Sequence, residues 1–206
     1  MRNIKWWRDR ILNYREWIPR TWYLYGRLLD WWYCRESLGS EIGTRYSHRG
    51  ANPTVSTEYR TLSKLFRGRL HRDDVLVDVG CGQGRTIVWW LHWGFTGPIY
   101  GLELDPAIAE ETRKRFARYS NVTIVPGDAI ANLPEAGTLF YLFNPFDEGV
   151  MVTFNDKVKA ARHGRDVRII YYNAVHIDLF RGDAAWRLTP IESGRHPAYL
   201  ITPERS

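Results

Sequence analysis

The chain is predicted to fold as a doubly wound α/β domain: a mainly parallel seven-stranded sheet, a C-terminal antiparallel hairpin and an N-terminal helical extension. Three observations predict it. From residue 74 onward, short apolar runs alternate with helical segments, the pattern of a parallel sheet covered on both faces. The first of those runs ends in a glycine-rich turn that opens directly into a helix. At 206 residues the chain is long enough to bury such a sheet as one domain.

The elements follow in order. Residues 2–38 read as one helix or two, broken or kinked near Pro19, because Trp7, Ile11, Tyr14 and Ile18, then Tyr25, Leu28, Leu29 and Trp32, recur at three- and four-residue spacing. Residues 39–56 are rich in Gly, Ser, Asn and Pro and read as a loop, followed by a short helix from Thr57 to Phe66. Val75–Val79 is the first strand, Arg85–Trp93 a helix closed by Gly94, and Ile99–Leu104 the second strand. Asp105 and Pro106 supply an N-cap and a first-turn proline for a helix running to about Tyr119. Val122–Val125, Thr138–Phe143 and Val167–Tyr172 are three further strands, with a helix over residues 148–163. Ala185–Ile191 and Ala198–Thr202 make the hairpin around Ser193 and Gly194.

Composition narrows the class. The net charge of +6 fits an acidic partner, but mixed signs along the chain fit plain solubility as well. Two cysteines cannot form a disulfide framework, which points to a reducing, cytoplasmic setting. Arg8, Asp9, Arg10, Arg15 and Glu16 interrupt any signal-peptide core, and no apolar run reaches the ~20 residues of a membrane span. Tryptophan is the unusual feature. Six of ten (Trp6, Trp7, Trp17, Trp22, Trp31 and Trp32) precede residue 35 and must pack on the domain, a partner or a ligand.

The segment from Val75 to Arg85, VLVDVGCGQGR, carries most of the chemistry. Glycines at 80, 82 and 84 permit positive φ and close approach of a ligand to the backbone. A dinucleotide site wants G-x-G-x-x-G to seat a pyrophosphate. Here the pattern is D-x-G-x-G-x-G, and a carboxylate at Asp78 repels a pyrophosphate while suiting a ligand that carries an ammonium group. S-adenosylmethionine (SAM) is such a ligand. Asp78 has a second reading as the cap of a turn.

At this point the sequence resembles the class I SAM-dependent methyltransferases, over roughly residues 74–178 and then the hairpin. The resemblance implies a Rossmann-like methyltransferase fold with SAM as cofactor. It implies that Asp78, Gly80, Cys81 and Gly82 hold the methionine end. Glu103, in YGLELD and 19 residues after Gly84, matches the acidic residue that accepts bonds from both ribose hydroxyls, with Leu104 beside it. Asp105 is the alternative ribose ligand. Asp128 and Ala129, in PGDA, match the adenine contacts. Asn144 and Phe146, in FNPF, resemble the Asn/Asp-Pro-Pro-Tyr/Phe motif of enzymes acting on exocyclic nitrogens, with one proline where that motif has two. Tyr46 lies in the loop before the sheet, which the resemblance implies folds over the methionine end; a plain surface loop is the alternative. His176, beyond the fifth strand, is either a general base or a hydrogen-bonded rim residue. The other histidines lack metal-ligand spacing, so no metal site is expected.

The resulting expectation is methyl transfer from SAM to a nitrogen or oxygen nucleophile of unidentified identity: a small molecule, a protein side chain or RNA. Residues 1–56 form an aromatic and basic extension, and residues 57–206 the SAM-binding domain. The extension either caps the acceptor site or docks to RNA or a membrane surface. A nicotinamide-dependent oxidoreductase is the remaining rival, which the glycine spacing disfavours.

Overall fold

In a computed structural model, the backbone is described for residues 14–39, 56–161 and 166–204, and the side chains of these from residue 21 onward. The elements are α1 (Tyr14–Cys34), α2 (Tyr59–Phe66), β1 (Leu76–Val79), α3 (Arg85–His92), β2 (Ile99–Glu103), α4 (Pro106–Phe116) and β3 (Val122–Pro126). Then come β4 (Leu139–Phe143), α5 (Glu148–Ala161), β5 (Arg168–Tyr172), α6 (Ile177–Arg181), β6 (Trp186–Ile191) and β7 (Ala198–Pro203). One sheet contains all seven strands, in the order β3-β2-β1-β4-β5-β7-β6. The five strands β1 to β5 pair in parallel, while β7 runs antiparallel to both β5 and β6. This is the predicted fold class, hairpin included.

Strand alternation divides the core in two. Leu76, Leu139, Tyr141, Ile170 and Tyr172 face the layer built by α1, α2, α3 and α4. Val77, Val79, Phe140, Leu142, Ile169 and Tyr171 face the layer built by α5 and α6. Side chains of period two, buried on both faces, explain why these strands read as continuous apolar runs. Pro190 sits on β6, the edge strand, where a missing N–H costs least. Asp105 caps α4 as expected, its Oδ1 accepting from the Ala107 amide at 2.8 Å.

Of the alternatives near Pro19, a break does not occur: α1 runs through it from Tyr14 to Cys34. The proline removes only the one bond its N–H would make to the Arg15 carbonyl, and the helix packs on α2 and α3. It stops at Cys34 rather than residue 38, since Arg35 turns to a φ of 61°. No element is predicted at α6, which at five residues is too short to show a helical period.

At the N-terminal edge of the sheet, buried Asp74 is fully engaged. It accepts from the Arg168 guanidinium, from Thr138 Oγ1 at 3.0 Å and from the His71 amide at 2.7 Å.

Candidate active site

The chain leaves β1 toward β2 and β3, then crosses back to place β4 on the other side of β1. Such a reversal opens a crevice at the strands' C-terminal ends, and the glycine turn lies in it. Gly80, Gly82 and Gly84 have φ of 78°, 50° and 85°, a region that side chains disfavour. The turn is held from behind. The amides of Gly80 and Cys81 both donate to the Leu102 carbonyl at 2.9 Å, and Thr112 Oγ1 donates to the Gly82 carbonyl at 2.8 Å. Arg115 reaches the Gln83 carbonyl at 3.1 Å. A Cβ on Gly84 would stand 2.4 Å from the Phe116 ring, so this glycine serves helix packing. Cys81 is buried, its thiol titration is raised well above the ordinary range by that burial, and its Sγ packs where Gly101 leaves room.

Two carboxylates meet at this turn. Asp78, at 3% exposure, lies on the α3 side of the sheet beside Tyr141 of the paired strand. Burial pushes its carboxyl up to about 8; the Thr86 hydroxyl opposes that shift and neighbouring Glu103 adds to it. Glu103, also buried, accepts from the Gly82 amide through Oε2 and from the Asp105 amide through Oε1, both at 2.9 Å. Its titration is likewise raised by burial, against the pull of those amides. A carboxylate has about four acceptor sites, so the side chain splints the turn and still keeps acceptor capacity for a ligand hydroxyl.

The Asp78 pocket is lined also by Thr57, Arg85, Thr86, Tyr141 and Phe143. Thr57 Oγ1 and the Tyr141 hydroxyl share a bond of 2.7 Å. Arg85, the first residue of α3, is held by Asp30 of α1 at 2.6 Å, and its guanidinium lies 5.4 Å above the Tyr59 ring. Asp30 is fully buried and accepts additionally from Tyr59 Oη at 2.6 Å and the Leu38 amide at 3.0 Å. Thus the C-terminal end of α1 is tied to the pocket, while the rest of α1 packs across α2 and α3 and touches the end of α4. Tyr25 Oη meets His92 Nε2 at 2.6 Å, and Arg118, just beyond α4, donates to the carbonyls of Trp32 and Tyr33. Sequence reading missed Asp30, Thr57, Arg85 and Tyr141. Only Arg85 carried a signal, its place next to Gly84.

The acceptor candidates gather at the ends of β4 and β5. Asn144 and Asn173, which follow these adjacent strands, have φ of 41° and 52°, two of the three non-glycine residues with positive φ among the described residues. Tyr171 Oη donates to Asn144 Oδ1 at 3.2 Å and accepts from the His176 backbone amide at 3.3 Å. Burial pushes the Tyr171 hydroxyl up to about 12, so it stays protonated and donating near neutral pH. His176 is half-buried at the N-cap of α6. Phe146 packs at 6.0 Å from Phe154 of α5, in the second core layer. On the opposite side of these strands, Phe143 lies 4.7 Å from Tyr172, and His196 lies 5.4 Å from Tyr172.

At the end of β3, Asp128 is exposed and its Oδ1 accepts from the Ile130 and Ala131 amides at 2.8 and 3.3 Å, capping a turn. Ala129 is buried against the second core layer, and Leu104 is half-buried after β2. Tyr46 lies outside the described residues.

These residues fit SAM. A buried carboxylate whose neutral form is favoured, facing a pocket with no salt bridge to it among the described residues, suits a ligand bearing an ammonium group. A cationic donor also balances the repulsion between Asp78 and Glu103.

Residues 77–140 match a family described as a methyltransferase domain. The chain is 33% identical over 87 residues to a probable cobalt-precorrin-6B C(15)-methyltransferase (decarboxylating) of Pyrobaculum aerophilum, covering 40% of this chain and 44% of that protein. It thus spans less than half of that relative's length. With the protein of the same description from Pyrobaculum calidifontis it is 25% identical over 197 residues, 84% of this chain and 98% of the other. Its fold is like that of the SAH-bound methyltransferase PaMTH1 of Podospora anserina, with a TM-score of 0.57 at 14% identity, covering 73% of this chain and 80% of that one. Residues 77–140, which span the glycine turn, thus carry the match to a methyltransferase domain, on a sheet whose fold is like that of an SAH-bound methyltransferase.

Proposed function

We propose that the chain methylates a nitrogen or oxygen nucleophile, with Asp78 and the turn Gly80–Gly82 holding the methionine end of SAM. Glu103 and Leu104 hold the ribose in this reading, and Asp128 and Ala129 the adenine, with Asp128 keeping one oxygen for its turn. The observation that carries the proposal is Asp78: a buried carboxyl near the end of β1, pushed up to about 8 and lining a pocket without an ion pair among the described residues. Arg85, already oriented by Asp30, is placed to meet the ligand's carboxylate. Bound SAM supplies an activated methyl group on a sulfonium. The protein's task is alignment and exclusion of water, and a base is needed only for a protonated nucleophile.

On the acceptor side, Asn144 accepts from the nucleophile's proton while Tyr171 holds the amide in place. Phe143 and Phe146 shape the mouth, and His176 is the candidate base. The packing of Phe146 on Phe154 supports a wall for the acceptor more than a freely stacking ring. Residues 57–206 act as the SAM-binding domain and residues 1–56 as an extension whose end, residues 30–39, braces Arg85. Two free thiols support a cytoplasmic setting. A second reading, transfer to carbon, takes its support from the description of the Pyrobaculum relatives as C(15)-methyltransferases.

Calorimetry with SAM, SAH and NAD tests the cofactor. SAM and SAH are expected to bind and NAD is not; NAD binding without SAM would overturn the proposal. Methyl-labelled SAM incubated with fractionated extract then identifies the acceptor, and its labelled product distinguishes nitrogen, oxygen and carbon.

A further inference from the structure

The outer face of α1 is apolar and aromatic where a surface helix of this fold should be polar. Tyr23, Leu24, Leu28, Trp31 and Trp32 are 66%, 59%, 66%, 54% and 66% exposed. At 100° per residue they occupy one continuous half of the helix. The other half is fixed, with Leu29 and Asp30 buried and Tyr25 and Tyr33 against His92. The exposed face is therefore set by the dock on the domain and does not result from a loose helix. Arg27 lies exposed within this face, and Arg35 stacks its guanidinium 4.5 Å from the Trp31 ring at its end. In sequence, Lys5, Arg8 and Arg10 alternate with Trp6 and Trp7 ahead of the helix.

Tryptophan and tyrosine prefer the boundary between headgroups and acyl chains, leucine the acyl side, and arginine the anionic headgroups. The helix is not long and apolar enough to cross a bilayer, so such a face lies on one. A nucleic acid would be met by more cations and by rings without aliphatic neighbours. Here Leu24 and Leu28 flank Trp31, and stacking on bases gives them no favourable role.

We propose that the outer face of α1 seats this methyltransferase on an anionic lipid surface, inserting Leu24, Leu28, Trp31 and Trp32 at the headgroup boundary with Arg27 and Arg35 on the phosphates. The inference stands apart from the cofactor site, which lies at the other end of the Asp30 contact.

The test is co-sedimentation of the full-length protein with vesicles of zwitterionic lipid alone or with about a third anionic lipid. Binding is expected to the anionic vesicles, to weaken with salt and to drop about tenfold or more in the double variant Leu28→Glu, Trp31→Glu. The variant's SAM affinity should remain that of the wild type, which also shows that it folds. Brominated lipid should quench the tryptophan emission of the unaltered protein, a readout that needs no variant. Absence of binding, or equal binding by the variant, overturns the proposal. So does a dimer that the double variant splits without vesicle binding, which makes the face a self-interface. Binding to single-stranded RNA in place of vesicles overturns it as well.

Discussion

Asp74 and Asp78 stand at the two ends of β1, each 3% exposed. Both are buried to the same degree, yet their surroundings differ. Asp74 has a guanidinium, a hydroxyl and an amide, all supplied by the fold. Asp78 has one hydroxyl, from Thr86, and the repulsion of Glu103, and its carboxyl is pushed up to about 8. The difference follows from the geometry of a parallel sheet. At the N-terminal edge, neighbouring strand starts such as Arg168 lie close enough to pair. At the C-terminal edge, the chain opens into turns and leaves a crevice. A buried charge completed by the protein belongs to stability, whereas one left for a ligand to complete belongs to function.

The largest effect should come from breaking the completed end. Arg168→Ala strands Asp74 in the interior and is expected to cost ~3–5 kcal/mol in denaturant unfolding. A loss under ~1 kcal/mol would erase the contrast between the two ends. At the other end, Asp78→Asn should weaken SAM binding by ~2–3 kcal/mol, the range of a charge-assisted bond. The same substitution should stabilise the free protein. The folded carboxyl titrates above the unfolded value of ~3.9, so the wild type loses stability as pH rises from there to about 8. The variant's advantage should therefore be absent near pH 4 and grow with pH to several kcal/mol, about 1.4 kcal/mol per pH unit, by pH 8. Equal stability at both pH values would mean that Asp78 is ionised and satisfied without ligand.

Binding sharpens the comparison further. An ammonium group favours the anionic form of Asp78, so SAM binding should release a proton below about pH 8. Affinity then rises by up to roughly tenfold per pH unit until that point. Calorimetry in buffers of different ionisation enthalpy reads the proton directly, and a value of zero at pH 7 removes this account. The smallest binding effect belongs to the acceptor edge. Asn144→Ala should change SAM affinity by less than ~1 kcal/mol yet slow transfer, because its contact is realised in the transition state. A matching loss of affinity would move Asn144 into the cofactor site.

Much of this was legible in the residues. Apolar runs of strand length, helical spacing between them and the Asp105–Pro106 start signal are local properties, and they determined the seven strands, their mainly parallel pairing with an antiparallel hairpin, and the turn at Gly80, Gly82 and Gly84. The candidate residues Asp78, Glu103, Asp128 and Asn144 could be named because each stands in a motif that resembles those of the methyltransferase family, at or near the C-terminal end of a strand. Tertiary structure decided what those side chains touch. Glu103 bonds the Gly82 amide from 21 residues away, Tyr141 joins Asp78 only because β4 crosses back beside β1, and Asp30 reaches Arg85 across 55 residues. The extension's role turned on the same kind of contact. Helical periodicity shows that α1 has two faces, but which one meets α3 is set by Asp30, Tyr25 and Tyr33, whose partners lie far along the chain. Periodicity is a property of neighbours in sequence. Pairing a buried charge is a property of neighbours in space, and only the folded chain brings them together.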